Sequence, residues 1–186
     1  MAEGFYGKIP SRGDFVRAGL PREFVEPWDA WLSASMEASR AALGERWLDI
    51  WLEAPVWRFL LPSGVCGPLA ALGVWLPSID RAGRHFPLTL VATSEREAIL
   101  LEQGGQFLAR AEAAGLAALQ DDLLPDALAE ALALDTVAPL LLPDEAGAGV
   151  WWTNGSPRLE PQSWRTASLP GAIDFADMLC SREELG

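Results

Sequence analysis

Apolar and polar positions along the chain change period several times, and each change marks an element. Gly4-Phe5-Tyr6-Gly7-Lys8-Ile9-Pro10 reads as a short first strand, weakened by its glycines and ended by Pro10. Residues 11–16 follow as a polar loop. From Phe24 the spacing turns helical, with Phe24, Trp28, Trp31, Leu32 and Met36 on one face. Pro27 belongs in a first turn, which places the helix start close to Glu26. Gly44 ends that helix. A second, short helix carries Trp47, Leu48 and Trp51 and stops before Pro55.

The period then falls to two. Residues 56–61 predict a strand in which Val56, Arg58 and Leu60 alternate with Trp57, Phe59 and Leu61. An arginine in an apolar strand is costly unless paired, so Arg58 calls for a carboxylate or a ligand. Residues 69–76 are apolar throughout and read as a central strand, and 88–92 as a third. The gaps between these three are too short for parallel crossovers, so they form an antiparallel meander. Thr93 or Ser94 is placed to cap a helix that runs to about Leu119, and its small residues (Gly104, Gly105, Ala109, Ala113, Ala114, Gly115) permit close packing. Pro125 opens a further helix over 126–134. Short strands are expected at 140–142 and 149–153, an edge strand at 165–167 and a last helix at 172–180. The order β-α-α-β-β-β-α-α-β-β-α describes one α/β domain, residues 1–186, with helices packed on a mixed sheet.

Composition narrows the function. Half of the 186 residues are hydrophobic, with nine Trp and seven Phe, so a large core is available. The net charge of −12 is uneven: residues 1–94 hold ten acids and nine bases, residues 95–186 sixteen acids and five bases. That acidic half argues against nucleic acid as a partner, because such binding needs a cationic surface. Lys8 is the sole lysine among 14 basic residues, and arginine's planar fork suits fixed ion pairs and anion recognition. Cys66 and Cys180 lack any paired spacing, so neither a disulfide framework nor a zinc knuckle is expected. With no leader-like or membrane-spanning apolar run, a soluble, cytoplasmic protein without membrane insertion is expected.

The connection Pro77-Ser78-Ile79-Asp80-Arg81-Ala82-Gly83-Arg84-His85-Phe86-Pro87 is longer and more charged than a hairpin turn requires. Ser78, Asp80 and His85 are the residue types of a hydrolytic triad. No nucleophile elbow surrounds Ser78, however, and Arg84 beside His85 disfavours the imidazolium that a general base must form. One histidine and two distant cysteines do not make a metal site, and no cofactor is implied. Gly4-x-x-Gly7-Lys8 lacks the spacing and the Ser or Thr of a phosphate loop. Arg12-Gly13-Asp14 is discounted as an adhesion motif. The Trp28/Trp31 and Trp47/Trp51 pairs fit core packing. Trp151 and Trp152 must point to opposite faces, so one of them is a candidate partner surface. What remains is a charged set at the ends of predicted strands or, for Arg58, inside one: Arg12, Asp14, Arg58, Asp80, Arg81 and Arg84, with Ser78 among them. It is either a group of ion pairs fixing the loops or a pocket for an anionic ligand or a partner.

Residues 4–15, Trp28-Asp29-Ala30-Trp31-Leu32, Trp47-Leu48-Asp49, Ala54-Pro55-Val56-Trp57-Arg58-Phe59 and the block 77–88 together resemble the TagF (ImpM) family of type VI secretion-associated proteins. The resemblance covers residues 4 to about 92 and leaves the acidic half, 95–186, to the reading above. It implies an α/β/α sandwich and a cytoplasmic accessory protein. Its role would be post-translational repression of assembly by protein binding, with an FHA-domain scaffold as partner and beside a threonine-phosphorylation pathway. Some relatives carry a fused phosphatase domain, an activity not expected in a chain of this length. The family supplies no catalytic residues, so no enzyme is expected. The alternatives are a hydrolase using Ser78, Asp80 and His85, and a structural component of the apparatus.

Overall fold

Seven strands pair into one sheet in a computed structural model of the chain, which describes residues 1–134 and 148–184. In chain order they are β1 (Ala2–Gly7), β2 (Val16–Ala18), β3 (Trp57–Leu61), β4 (Ala70–Leu76), β5 (Leu88–Ser94), β6 (Gly149–Thr153) and β7 (Gln162–Thr166). Across the sheet they run β2-β1-β5-β4-β3-β6-β7, and every pair is antiparallel. The α/β class and the β3–β4–β5 meander are as expected. The mixed sheet is not, since no described strand has a parallel neighbour. The connections explain this: the helical passages from β2 to β3 and from β5 to β6 each land on a strand that is not adjacent, so no crossover closes a parallel pair.

Helices α1 (Arg22–Leu43), α2 (Trp47–Leu52) and α5 (Phe175–Leu179) cover one face, and α3 (Glu97–Gln120) and α4 (Pro125–Ala133) the other. The result is the α/β/α sandwich. Period-two alternation splits the core between the faces: Trp57, Phe59 and Leu61 of β3 join the α1 side, and Leu60 joins the α3 side. Both tryptophan pairs are buried. Trp28 lies 4.8 Å from Trp31, 4.7 Å from Phe59 and 6.1 Å from Trp151, between ring centroids. Trp152 points the opposite way from Trp151, as strand geometry demands, and is partly buried against the α3-side core. On α3, Gly115 lets the helix close on the sheet, because a Cβ there would stand 2.7 Å from Leu76 Cδ1.

Several boundaries differ for local reasons. Helix α1 begins at Arg22, not near Glu26, and takes Pro27 into its interior. The amide that proline lacks would have met the Glu23 carbonyl. The β3–β4 loop packs there instead, with Gly67 against that carbonyl and Cys66 Sγ donating to the Phe24 carbonyl at 3.8 Å. β5 runs on through Thr93 and Ser94, paired with β1 and β4, so neither residue caps α3. Strand β2 lies partly in the stretch expected to be loop, and the edge strand is longer than expected, Gln162–Thr166. The strand expected at 140–142 falls outside the described residues.

Candidate functional site

The charged connection between β4 and β5 is a small hairpin in its own right. Ile79 and His85 form a bridge, the Asp80 amide donates to the Arg84 carbonyl at 2.9 Å, and the Gly83 amide donates back to the Asp80 carbonyl at 2.9 Å. Gly83 supplies the positive φ of 82° at the turn, and Asp80 the side chain that orders it. Asp80 Oδ1 accepts from the Ala82 and Arg84 amides, each at 2.9 Å. Its Oδ2 accepts from Arg84 Nε at 2.8 Å and from Lys8 Nζ. Burial by itself would raise the Asp80 pKa. The hydrogen bonds from Lys8, Arg84 and Ala82 outweigh it and hold the carboxyl well below the usual range.

This carboxylate latches two loops together. Lys8 belongs to the turn after β1, and its ammonium also stands 4.9 Å from the Phe15 ring centroid. Ser78 Oγ donates to the Lys8 carbonyl at 2.7 Å, the Arg81 amide to the Arg12 carbonyl at 2.9 Å, and Arg84 Nη2 to the Gly13 carbonyl. Tyr6, Phe15 and Phe86 seal the seam, with Tyr6 and Phe15 stacked at 5.5 Å.

The seven candidate residues therefore separate. Ser78 and Asp80 are buried inside the latch, and Arg84 closes it from outside. Arg58 is elsewhere: on the α3 side of β3, it donates through Nε (2.9 Å) and Nη2 (2.6 Å) to Glu112 Oε2 of α3, the carboxylate that its burial required. Arg12, Asp14 and Arg81 do come together. Their exposed side chains line a cleft of about 440 Å³ between the two loops and the start of α4, joined there by Arg17.

Sequence reasoning missed Lys8 as the partner of Asp80, Glu112 as the partner of Arg58, and Arg17 in the cleft. The one available signal was that Lys8 is the chain's single lysine, and nothing in the sequence joined it to Asp80.

No relay joins Ser78, Asp80 and His85. The serine hydroxyl and the aspartate are engaged as above, and the His85 ring meets Trp47 edge-on at 5.5 Å. Partial burial lowers the His85 pKa, and Arg40 beside it adds to that effect. Arg40 itself stacks on Trp47 at 4.4 Å. Burial pushes the Cys66 thiol up to about 12, so it is not a poised nucleophile. Among the described residues no cluster of three metal-ligating side chains occurs, and no helix is long and apolar enough to cross a membrane.

Comparison with known proteins finds relatives of this fold and sequence. The crystal structure of PA0076 from Pseudomonas aeruginosa PAO1 superposes with a TM-score of 0.82 at 35% identity, over 97% of this chain and 94% of that one. No curated protein sequence matches significantly. The family model for the TagF N-terminal domain, described as type VI secretion system-associated, matches residues 4–134, a span that contains both latched loops and the whole cleft lining. The chain belongs to the TagF N-terminal domain family of type VI secretion system-associated proteins.

Proposed function

We propose that this protein is a cytoplasmic regulator that represses assembly of a type VI secretion machine after translation. It does so by binding a partner, an FHA-domain scaffold protein, and not by catalysis. The observation that carries the reading is the division of labour at the loops. Ser78, Asp80 and Arg84 are committed to holding two segments rigid, while Arg12, Asp14 and Arg81 are left exposed on them. A rigid backbone presenting free charged side chains suits recognition, because little order remains to be imposed on binding.

The test is capture of the purified scaffold by the wild-type protein and by Arg12→Glu. Capture should fall for the variant while its melting temperature is kept. In cells, deleting the gene should raise secretion; unchanged or reduced secretion would count against a repressor. His85→Ala should leave repression intact, since the histidine packs on Trp47 and serves no relay.

A further inference from the structure

We infer that the cleft lined by Arg12, Arg17 and Arg81 is an oxyanion-binding site, taking a phosphate or carboxylate group. The inference rests on the docking reading above and names the chemistry that the cleft recognises.

The first argument is the pairing of the arginines. Arg22, Arg58, Arg84, Arg110, Arg158 and Arg182 each form an ion pair with a carboxylate. Arg40, Arg46 and Arg96 form no ion pair among the described residues, but Arg40 is taken up by the Trp47 ring and the His85 carbonyl, and none of these three lines the cleft with Arg12, Arg17 and Arg81. Arg12 and Arg81 make no side-chain hydrogen bond or ion pair among the described residues. Arg17 donates only to the Leu20 carbonyl, at 3.0 Å, which leaves much of its fork free. These three guanidiniums line one cleft, and Asp14 is the single acid among the described residues lining it. The wall therefore carries an excess of two positive charges in a protein whose net charge is −12. Gathering like charges is unfavourable unless a counter-charge joins them.

The second argument is rigidity. The backbone on both sides of the cleft is fixed before any ligand arrives. The Arg12 carbonyl takes the Arg81 amide, the Gly13 carbonyl takes the Arg84 guanidinium, and the turn carrying Arg81 is set by buried Asp80. Guanidinium forks on a preorganised frame match the paired oxygens of carboxylate and phosphate. The volume of about 440 Å³ admits such a group together with the side chain that bears it.

The experiment is a side-chain NMR titration of the isotope-labelled full chain. It follows the arginine Nε–H resonances at constant ionic strength held with chloride. One arm adds inorganic phosphate and the other an acetylated, amidated triglutamate peptide. Saturable shifts are expected at Arg12, Arg17 and Arg81 but not at Arg22, whose ion pair lies on the α1 surface. The double variant Arg12→Gln, Arg81→Gln should weaken binding by roughly tenfold or more.

Response to phosphate alone assigns the ligand to phosphate-bearing groups, and response to the peptide alone to acidic segments; either supports the site. No saturable shift with either anion, or equal shifts at Arg22, overturns it. Should the double variant fail to fold, Arg81→Lys keeps the charge and loses the fork, and unchanged affinity for it would also overturn the proposal. No partner protein enters the titration, so failure here is distinguishable from failure of scaffold capture.

Discussion

Neutralising Asp80 would leave the Lys8 ammonium buried without a counter-ion, and removing one partner of such a pair costs about 3 kcal/mol or more. Asp80→Asn should therefore lower the urea midpoint strongly at pH 7. The sign of the pH dependence follows from the depressed folded-state pKa. The stabilisation is complete above the ordinary Asp value of 3.8 and is lost as pH falls below it through the folded value. The gap between wild type and variant should thus narrow steadily from about pH 4 down to about pH 2, and close only below the folded-state value, read from urea midpoints across that window. A constant gap would contradict the latch. Sequence alone shows one half of this chemistry well and the other poorly. Arg58 demanded a carboxylate because its strand neighbours were apolar, and Glu112 answers it. Lys8 and Asp80 are 72 positions apart, and nothing local to either announces the other.

At the scale of elements, α1 carries an interior proline where the β3–β4 loop packs closely against the exposed carbonyl. Gly67 has a φ of 90°, and a Cβ there would stand 2.4 Å from the Glu23 carbonyl oxygen. Gly67→Ala is expected to cost about 1–3 kcal/mol, through backbone strain and the displaced loop. Thermal unfolding checks it, and an unchanged melting temperature would show that the loop does not bear on the helix. The long apolar strands were legible because burial on both faces leaves a continuous run. β2 was not: it has three residues, an exposed Arg17 at its centre and one buried side chain, Val16, so it pairs through backbone with little side-chain signature. The helix start was misplaced because proline rules describe an isolated helix, whereas here tertiary packing decides.

For the whole molecule, two cores share one sheet, and neighbouring residues of β3 serve opposite sides. Loss of either core should therefore unfold both. Leu108→Ala empties space in the core under α3, where the side chain is fully buried, and should destabilise by about 2–5 kcal/mol. Tryptophan fluorescence reports chiefly the other core, which holds seven of the nine tryptophans. Its midpoint should fall together with that of far-UV ellipticity, in a single transition. Separate midpoints would mean that the layers fold independently. The layered class was legible from element order, but the all-antiparallel sheet was not, because strand order depends on which distant edges meet. The cleft was half legible for the same reason: Arg12, Asp14 and Arg81 were grouped by their place at strand ends, and Arg17 joined them only once β2 folded back on β1.

The burial of Lys8 has a practical side. It is the only lysine in the chain and is 5% exposed, so no other side chain offers a primary amine. Acylating reagents reach that amine only when the two loops part. The rate of lysine modification in this protein is thus a clock for one local opening, with no competing side-chain signal to subtract.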